Sequence, residues 1–197
     1  RMFASITGHD SLDSILAGIE KGLSLGLKVK VNAVLMRQYN EKEFTGFLNW
    51  VRSSPISLRL IELMQTGDNQ PFFQKNHVSA EPLKEQLLQS GWCQVIRGKA
   101  AGPAQEFYHP DYAGKIGLIM PYSKDFCASC NRLRISATGK LHLCLFAEQG
   151  LDIRRYISAG EAGLRQELIS LLGDKEATHW LQEGLTGATK HLAMLGG

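Results

Sequence analysis

Residues 126–146 read FCASCNRLRISATGKLHLCLF and hold three of the chain's four cysteines, spaced Cys127-x2-Cys130-x13-Cys144. Two residues between thiols let both point at one ion or cluster, and a third sulfur must return from further along the chain. The intervening residues supply that return. Leu133–Ser136 and Leu141–Leu145 have strand composition. Ala137-Thr138-Gly139 between them suits a three-residue hairpin loop, a type I turn closed by a glycine in the left-handed region. The loop sets Ser136 opposite Lys140, Arg134 opposite His142 and Arg132 opposite Cys144. Opposed residues share a sheet face, so Arg132, Arg134, His142 and Cys144 are expected on one side, next to the CxxC. A two-residue loop would send Cys144 to the other face. A metal centre flanked by two arginines is a place to hold an anion, because the guanidinium fork matches phosphate and carboxylate.

The whole chain, 197 residues, is long enough for one or two domains with a sizeable core. At 44% apolar and 21% charged it has the composition of an ordinary globular protein, and a net charge of +3 is too small to argue for nucleic acid. No run of eighteen apolar residues occurs, so no membrane span is expected. No signal peptide is read at the start, where Arg1 and Met2 lead into Phe-Ala-Ser. A cytoplasmic location is expected, and there a CxxC reads as a metal site rather than a disulfide. The first residue is not methionine and helical sequence begins almost at once, which suggests further sequence upstream.

Apolar periodicity predicts helices over 11–25, 41–51, 79–89, 152–158 and 161–172. Strands are expected at Lys28–Met36 (KVKVNAVLM) and Ser57–Met64 (SLRLIELM). Helix and strand alternate, which points to βα units and a parallel sheet. Lys30 and Asn32 interrupt one face of the first strand, where a buried parallel strand would be apolar on both. That face should therefore look onto something polar, or be the open face of a sheet. Arg59 and Glu62 fall on opposite faces of the second strand. Ligands in such folds gather at the carboxyl ends of strands, so Met64-Gln65-Thr66-Gly67 is well placed for contact. After Gly91 the pattern changes to short strands, 92–97, 105–109 and 115–120, which should pair antiparallel. The division is set there: 1–91 and 92–197. The fold class is α/β in the first part and α+β with antiparallel hairpins in the second.

By spacing alone zinc and iron–sulfur both stay open, with His142 or His109 as a fourth ligand in the zinc case. Three cysteines on a 4Fe-4S cluster would leave one iron free of protein ligand. Cys93, within WCQVI, is expected to be a buried hydrophobe rather than a ligand.

CASCNRLR with the third cysteine in GKLHLCLF resembles the C-terminal cluster segment of the GTP 3′,8-cyclases of molybdenum-cofactor biosynthesis (the MoaA family). KVKVNAVLM, LRLIELM, GPAQEFYHPDYAGKIGLIMPYS and the final Gly196-Gly197 resemble it too, so the likeness runs along essentially the whole chain. The family consists of radical S-adenosylmethionine lyases that convert GTP to a 3′,8-cyclo nucleotide. The resemblance implies that 1–91 is the last part of an incomplete (βα) barrel and that 92–197 carries an auxiliary cluster and the GTP site. It implies Cys127, Cys130 and Cys144 as ligands of the auxiliary 4Fe-4S cluster, whose open iron meets the guanine. It implies Arg132 and Arg134 as GTP contacts, Lys30 and Arg59 near the triphosphate or substrate, Asn32 and Met64 near S-adenosylmethionine, and Gly196 and Gly197 as a tail entering the active site. The family's N-terminal CxxxCxxC, which holds the second 4Fe-4S cluster, has no counterpart here, since no cysteine precedes Cys93. The chain alone is therefore expected to be inactive. GTP, S-adenosylmethionine and, functionally, the next enzyme (cyclic pyranopterin monophosphate synthase) are the implied partners, with no nucleic acid or membrane. An opened sheet edge also offers a second copy a place to pair, so a homodimer is among the expectations. The reading from another class is a zinc-stabilised nucleotide- or nucleic-acid-binding module without catalysis.

Overall fold

The computed structural model describes residues 2–96, 98, 101–124, 126–127, 130–146, 150–158, 160–173, 175 and 181–187. These fall into two compact units. The first takes in residues up to Leu63, Asn76–Ile96 and Ala104–Met120; the second takes Met64–Lys75 and the described residues of 97–103 and from Pro121 onward.

The first unit contains helices α1 (Met2–Thr7) and α2 (Leu12–Ser24), strand β1 (Lys30–Leu35), helix α3 (Phe44–Ser53), strand β2 (Ser57–Glu62) and, after an excursion into the second unit through α4 (Gln70–Asn76), helix α5 (Glu81–Gln89). Strands β3 (Cys93–Gln94), β4 (Gln105–Tyr108) and β5 (Lys115–Ile119) complete it. One five-stranded sheet runs β1-β2-β5-β4-β3. Its first two pairings are parallel and its last two antiparallel. The sheet thus continues across Gly91: β5 lies parallel against β2, and β4 and β3 add to it antiparallel. Gly91 ends α5 at φ +86, with the Trp92 N–H closing back on Leu87 O at 3.0 Å.

Burial alternates along β2, where Leu58, Leu60 and Glu62 are buried and Ser57, Arg59 and Ile61 are partly exposed. Val51 of α3 and Leu58, Leu60, Phe107, Ile116 and Leu118 of the sheet are fully buried in one core with Leu87 of α5, each contributing about 1.5–3 kcal/mol on burial. Glu62 closes this side. Its Oε1 accepts the Ala80 N–H at 2.7 Å just ahead of α5, and Ser79 Oγ accepts the Glu81 N–H. The other sheet face carries Lys30, Asn32 and Arg59, with Lys30 and Asn32 exposed. Cys93, expected to be buried, is exposed, because a two-residue edge strand has little to cover it.

The second unit holds a small sheet, β6 (Arg134–Ile135), β7 (Lys140–His142) and β8 (Leu151–Asp152), followed by α6 (Arg154–Ile157) and α7 (Gly160–Leu172). Leu141, Leu143 and Ile153 form its core, with Leu168 and Leu171 of α7 packed on them. Asp152, expected to open a helix, is a strand residue opposite Lys140, and its carboxylate receives the Arg154 N–H. The cross-strand charge pair and this local turn delay the helix to Arg154. Gly196 and Gly197 lie outside the described residues.

Candidate functional site

The hairpin register is the one its loop dictates. Arg134 pairs with His142 and Ile135 with Leu141, the Ser136 N–H donates to Lys140 O at 2.9 Å, and Gly139 takes φ +73. The ladder is shorter than expected, and Arg132 and Cys144 lie just beyond its last pair. They nevertheless share a cleft. Cys127, Cys130 and Cys144 line it together with Arg132 and Arg134, in a space of ≈ 590 Å³ counting its open mouth. Met64, Pro103 and Lys175 also border it.

All three thiols are free and half-buried. The Cys130 N–H closes on Cys127 O at 3.1 Å, and both residues line the cleft. Cys144 Sγ accepts the Phe146 N–H at 3.4 Å. Burial pushes the Cys144 thiol up; the Phe146 N–H opposes this, Cys127 and Cys130 add to it, and Lys175 draws it down. Such a group gains from a positive centre, because metal ligation needs the thiolate. Among the described residues no three His, Cys, Asp or Glu side chains are arranged to hold one metal ion.

Two basic side chains are set in place by close backbone. The Arg132 guanidinium lies on Gly102, where a Cβ would come 2.6 Å from its Nη2, and Asn131 Nδ2 reaches Ala101 O at 3.4 Å. Lys175 donates from Nζ to Cys130 O at 2.8 Å. Met64 is held at the cleft by its own loop: Asn69 Nδ2 donates to Met64 O at 2.9 Å, and the next residue's N–H donates to the Tyr122 hydroxyl oxygen at 2.9 Å.

Neither histidine considered as a fourth ligand lines this cleft. His142 lies against Gly150 and is held below its ordinary pKa range by burial, then by Lys140 and Arg134. His109 belongs to the first unit, stacked with Trp92 and Tyr112 at centroid distances of 5.7 and 5.1 Å.

Residues 56–181 match the family model described as Molybdenum Cofactor Synthesis C. The chain belongs to this family. A relative, the GTP 3′,8-cyclase of Cronobacter sakazakii (strain ATCC BAA-894), is 50% identical over 200 residues, covering 100% of this chain and 61% of its own length. The chain therefore spans about three-fifths of the curated relative it matches. The Molybdenum Cofactor Synthesis C match includes the cysteine hairpin and both arginines, but begins after Lys30 and Asn32.

Those two residues, with Arg59, form a separate group on the first unit's sheet. Register puts Asn32, Arg59, Gly117 and Glu106 in one row across four strands. Gly102 and Glu106 lie in the GPAQEFYHPDYAGKIGLIMPYS stretch but were given no role there, and Lys175 lies in no stretch the sequence marked. Glu106 is identified only once strand order is known, and Lys175 follows a helix with nothing in its neighbourhood to single it out.

Proposed function

We propose that this chain is the GTP-binding portion of a GTP 3′,8-cyclase, acting in the first step of molybdenum-cofactor synthesis, where GTP becomes (8S)-3′,8-cyclo-7,8-dihydroguanosine 5′-triphosphate. The observation that carries the reading is the cleft of the second unit, in which three free cysteines stand with Arg132, Arg134 and Lys175. Three cysteines on one cleft can each take a different iron of a 4Fe-4S cluster. The donor set also fits in kind, since thiolates alone serve such clusters.

When bound, that cluster supplies an iron without a protein ligand, at which the guanine can attach. The chain's own residues do the rest. Arg132 and Arg134 hold anionic oxygens of GTP, Lys30 and Arg59 meet the triphosphate, and Asn32 and Met64 serve S-adenosylmethionine in the whole enzyme. Gly196-Gly197, outside the described residues, belongs to the active site of the whole enzyme on the strength of the family resemblance alone. The division 1–91 and 92–197 belongs to this reading as a division of roles: a radical S-adenosylmethionine barrel wall and a cluster-and-GTP part. The second 4Fe-4S cluster needs cysteines that do not occur before Cys93, so the chain alone binds GTP without turning it over.

The test is anaerobic reconstitution with iron and sulfide, then calorimetry with GTP and chromatography after incubation with GTP, S-adenosylmethionine and dithionite. The expected outcome is bound iron and sulfide in about equal amounts, GTP binding and no 5′-deoxyadenosine. Colourless, zinc-loaded protein without iron uptake would replace this reading with a zinc-stabilised binding module. Stoichiometric 5′-deoxyadenosine would show that the missing cluster site has been misassigned.

A further inference from the structure

Lys175 follows the last turn of α7, with its N–H on Leu172 O at 3.2 Å. Its half-buried ammonium donates to Cys130 O at 2.8 Å and stands 3.5 Å from Arg132 O. One side chain from the far end of the unit thus grips the backbone on both sides of Asn131, between a thiol and an arginine that line the same cleft. Two functions are joined at that point. The carbonyl grip fixes the direction in which the Cys130 and Arg132 side chains leave the chain. The ammonium also brings a positive charge to the wall of a partly buried site, where screening is weaker than in water.

We propose that Lys175 is a positioning and potential-setting residue of the cysteine cleft: it fastens the Cys130–Arg132 backbone, and its charge favours the more reduced state of the cluster held there. The inference rests on the three-cysteine cluster reading above. Charge and hydrogen bonding around a cluster govern its potential. Reduction adds negative charge, so a fixed cation beside the sulfurs makes it easier. A neutral residue of similar length leaves the cysteines in place but loses both the grip and the charge. Arginine keeps the charge while altering the grip.

The experiment uses the full chain, reconstituted anaerobically with iron and sulfide, as wild type, K175M and K175R, with far-ultraviolet circular dichroism to check folding. Iron content, the rate of iron loss to a chelator and the midpoint potential from a spectroelectrochemical titration are measured. In K175M the cluster should be lost on the order of tenfold faster, and its potential should move to more negative values. K175R should keep a potential close to wild type even if iron is lost faster. An unchanged potential in iron-loaded K175M overturns the proposal. If K175M holds no cluster, retention of the wild-type potential by K175R supports it, and equal failure of both variants overturns it. Absence of iron uptake by the wild type itself instead sinks the cluster reading, and this inference with it.

Discussion

Arg59 and Glu106 stand 4.0 Å apart across the small residue Gly117, with side chains only 19% and 14% exposed. A Cβ at 117 would come 3.1 Å from Arg59 Cγ, so the glycine is what lets the arginine lie along the sheet toward the carboxylate. Arg59 Nε has no hydrogen-bond partner among the described residues. If Arg59 receives an anion, Glu106 competes for it. Glu106→Gln should then tighten GTP binding by on the order of 1 kcal/mol, roughly fivefold. Calorimetry on cluster-loaded protein measures it, and unchanged or weaker binding would remove Arg59 from the triphosphate site.

Cys127→Ser, Cys130→Ser and Cys144→Ser should each lose most of the iron taken up on reconstitution. Cys93→Ser should not, because Cys93 is exposed on a strand of the other unit. Iron and sulfide assays decide it, and full iron content in Cys144→Ser would end the three-ligand argument.

Arg132→Ala and Arg134→Ala should each weaken GTP binding by about 1.5–3 kcal/mol, roughly ten- to a hundredfold, the cost of a lost charge-assisted contact. Gly102→Ala is a subtler test. Its Cβ would meet only the tip of Arg132, so folding stability should hold while GTP affinity falls in the same direction. Wild-type affinity in all three would mean that these arginines face something other than GTP.

Gly139→Ala should destabilise the second unit by about 1–3 kcal/mol. The position requires φ +73, and a side chain there would run into the stem of Arg154. Urea unfolding monitored with limited proteolysis of the hairpin gives the answer; a neutral result would show that the turn can be rebuilt at no cost.

His77 is held below the usual histidine range by burial and then by Arg37, whose Nη2 donates to His77 O at 3.1 Å. As pH falls below about 6.5 the unfolded chain takes up this proton before the folded one does. Stability should therefore decline from about pH 7 downward until the folded pKa is passed. His77→Gln should flatten that decline in urea titrations between pH 7.5 and 5. An equal slope in the variant would assign the pH dependence to other groups.

The local structure around the cysteines was legible because its information is local. A glycine three residues into the loop sets the register, and the register puts Arg134 against His142 whatever surrounds the hairpin. The two-residue period of KVKVNAVLM likewise separated Lys30 and Asn32 from the apolar face before any fold was known, while in SLRLIELM it put Arg59 and Glu62 on opposite faces without saying which face is buried. Strands were drawn too long at every carboxyl end, because a residue with strand propensity joins a ladder only where a partner strand reaches it.

What only the tertiary structure decided is which distant residues become neighbours. No periodicity says that Lys115–Ile119 inserts between Ser57–Glu62 and Gln105–Tyr108, yet that order alone brings Glu106 to Arg59. Nothing near Lys175 announces that its ammonium closes on Cys130, 45 residues earlier. Residue types and short-range geometry are carried by adjacent side chains and backbone preferences. Long-range pairing depends on which apolar faces can be buried together, a competition among whole elements that no single stretch of the sequence records.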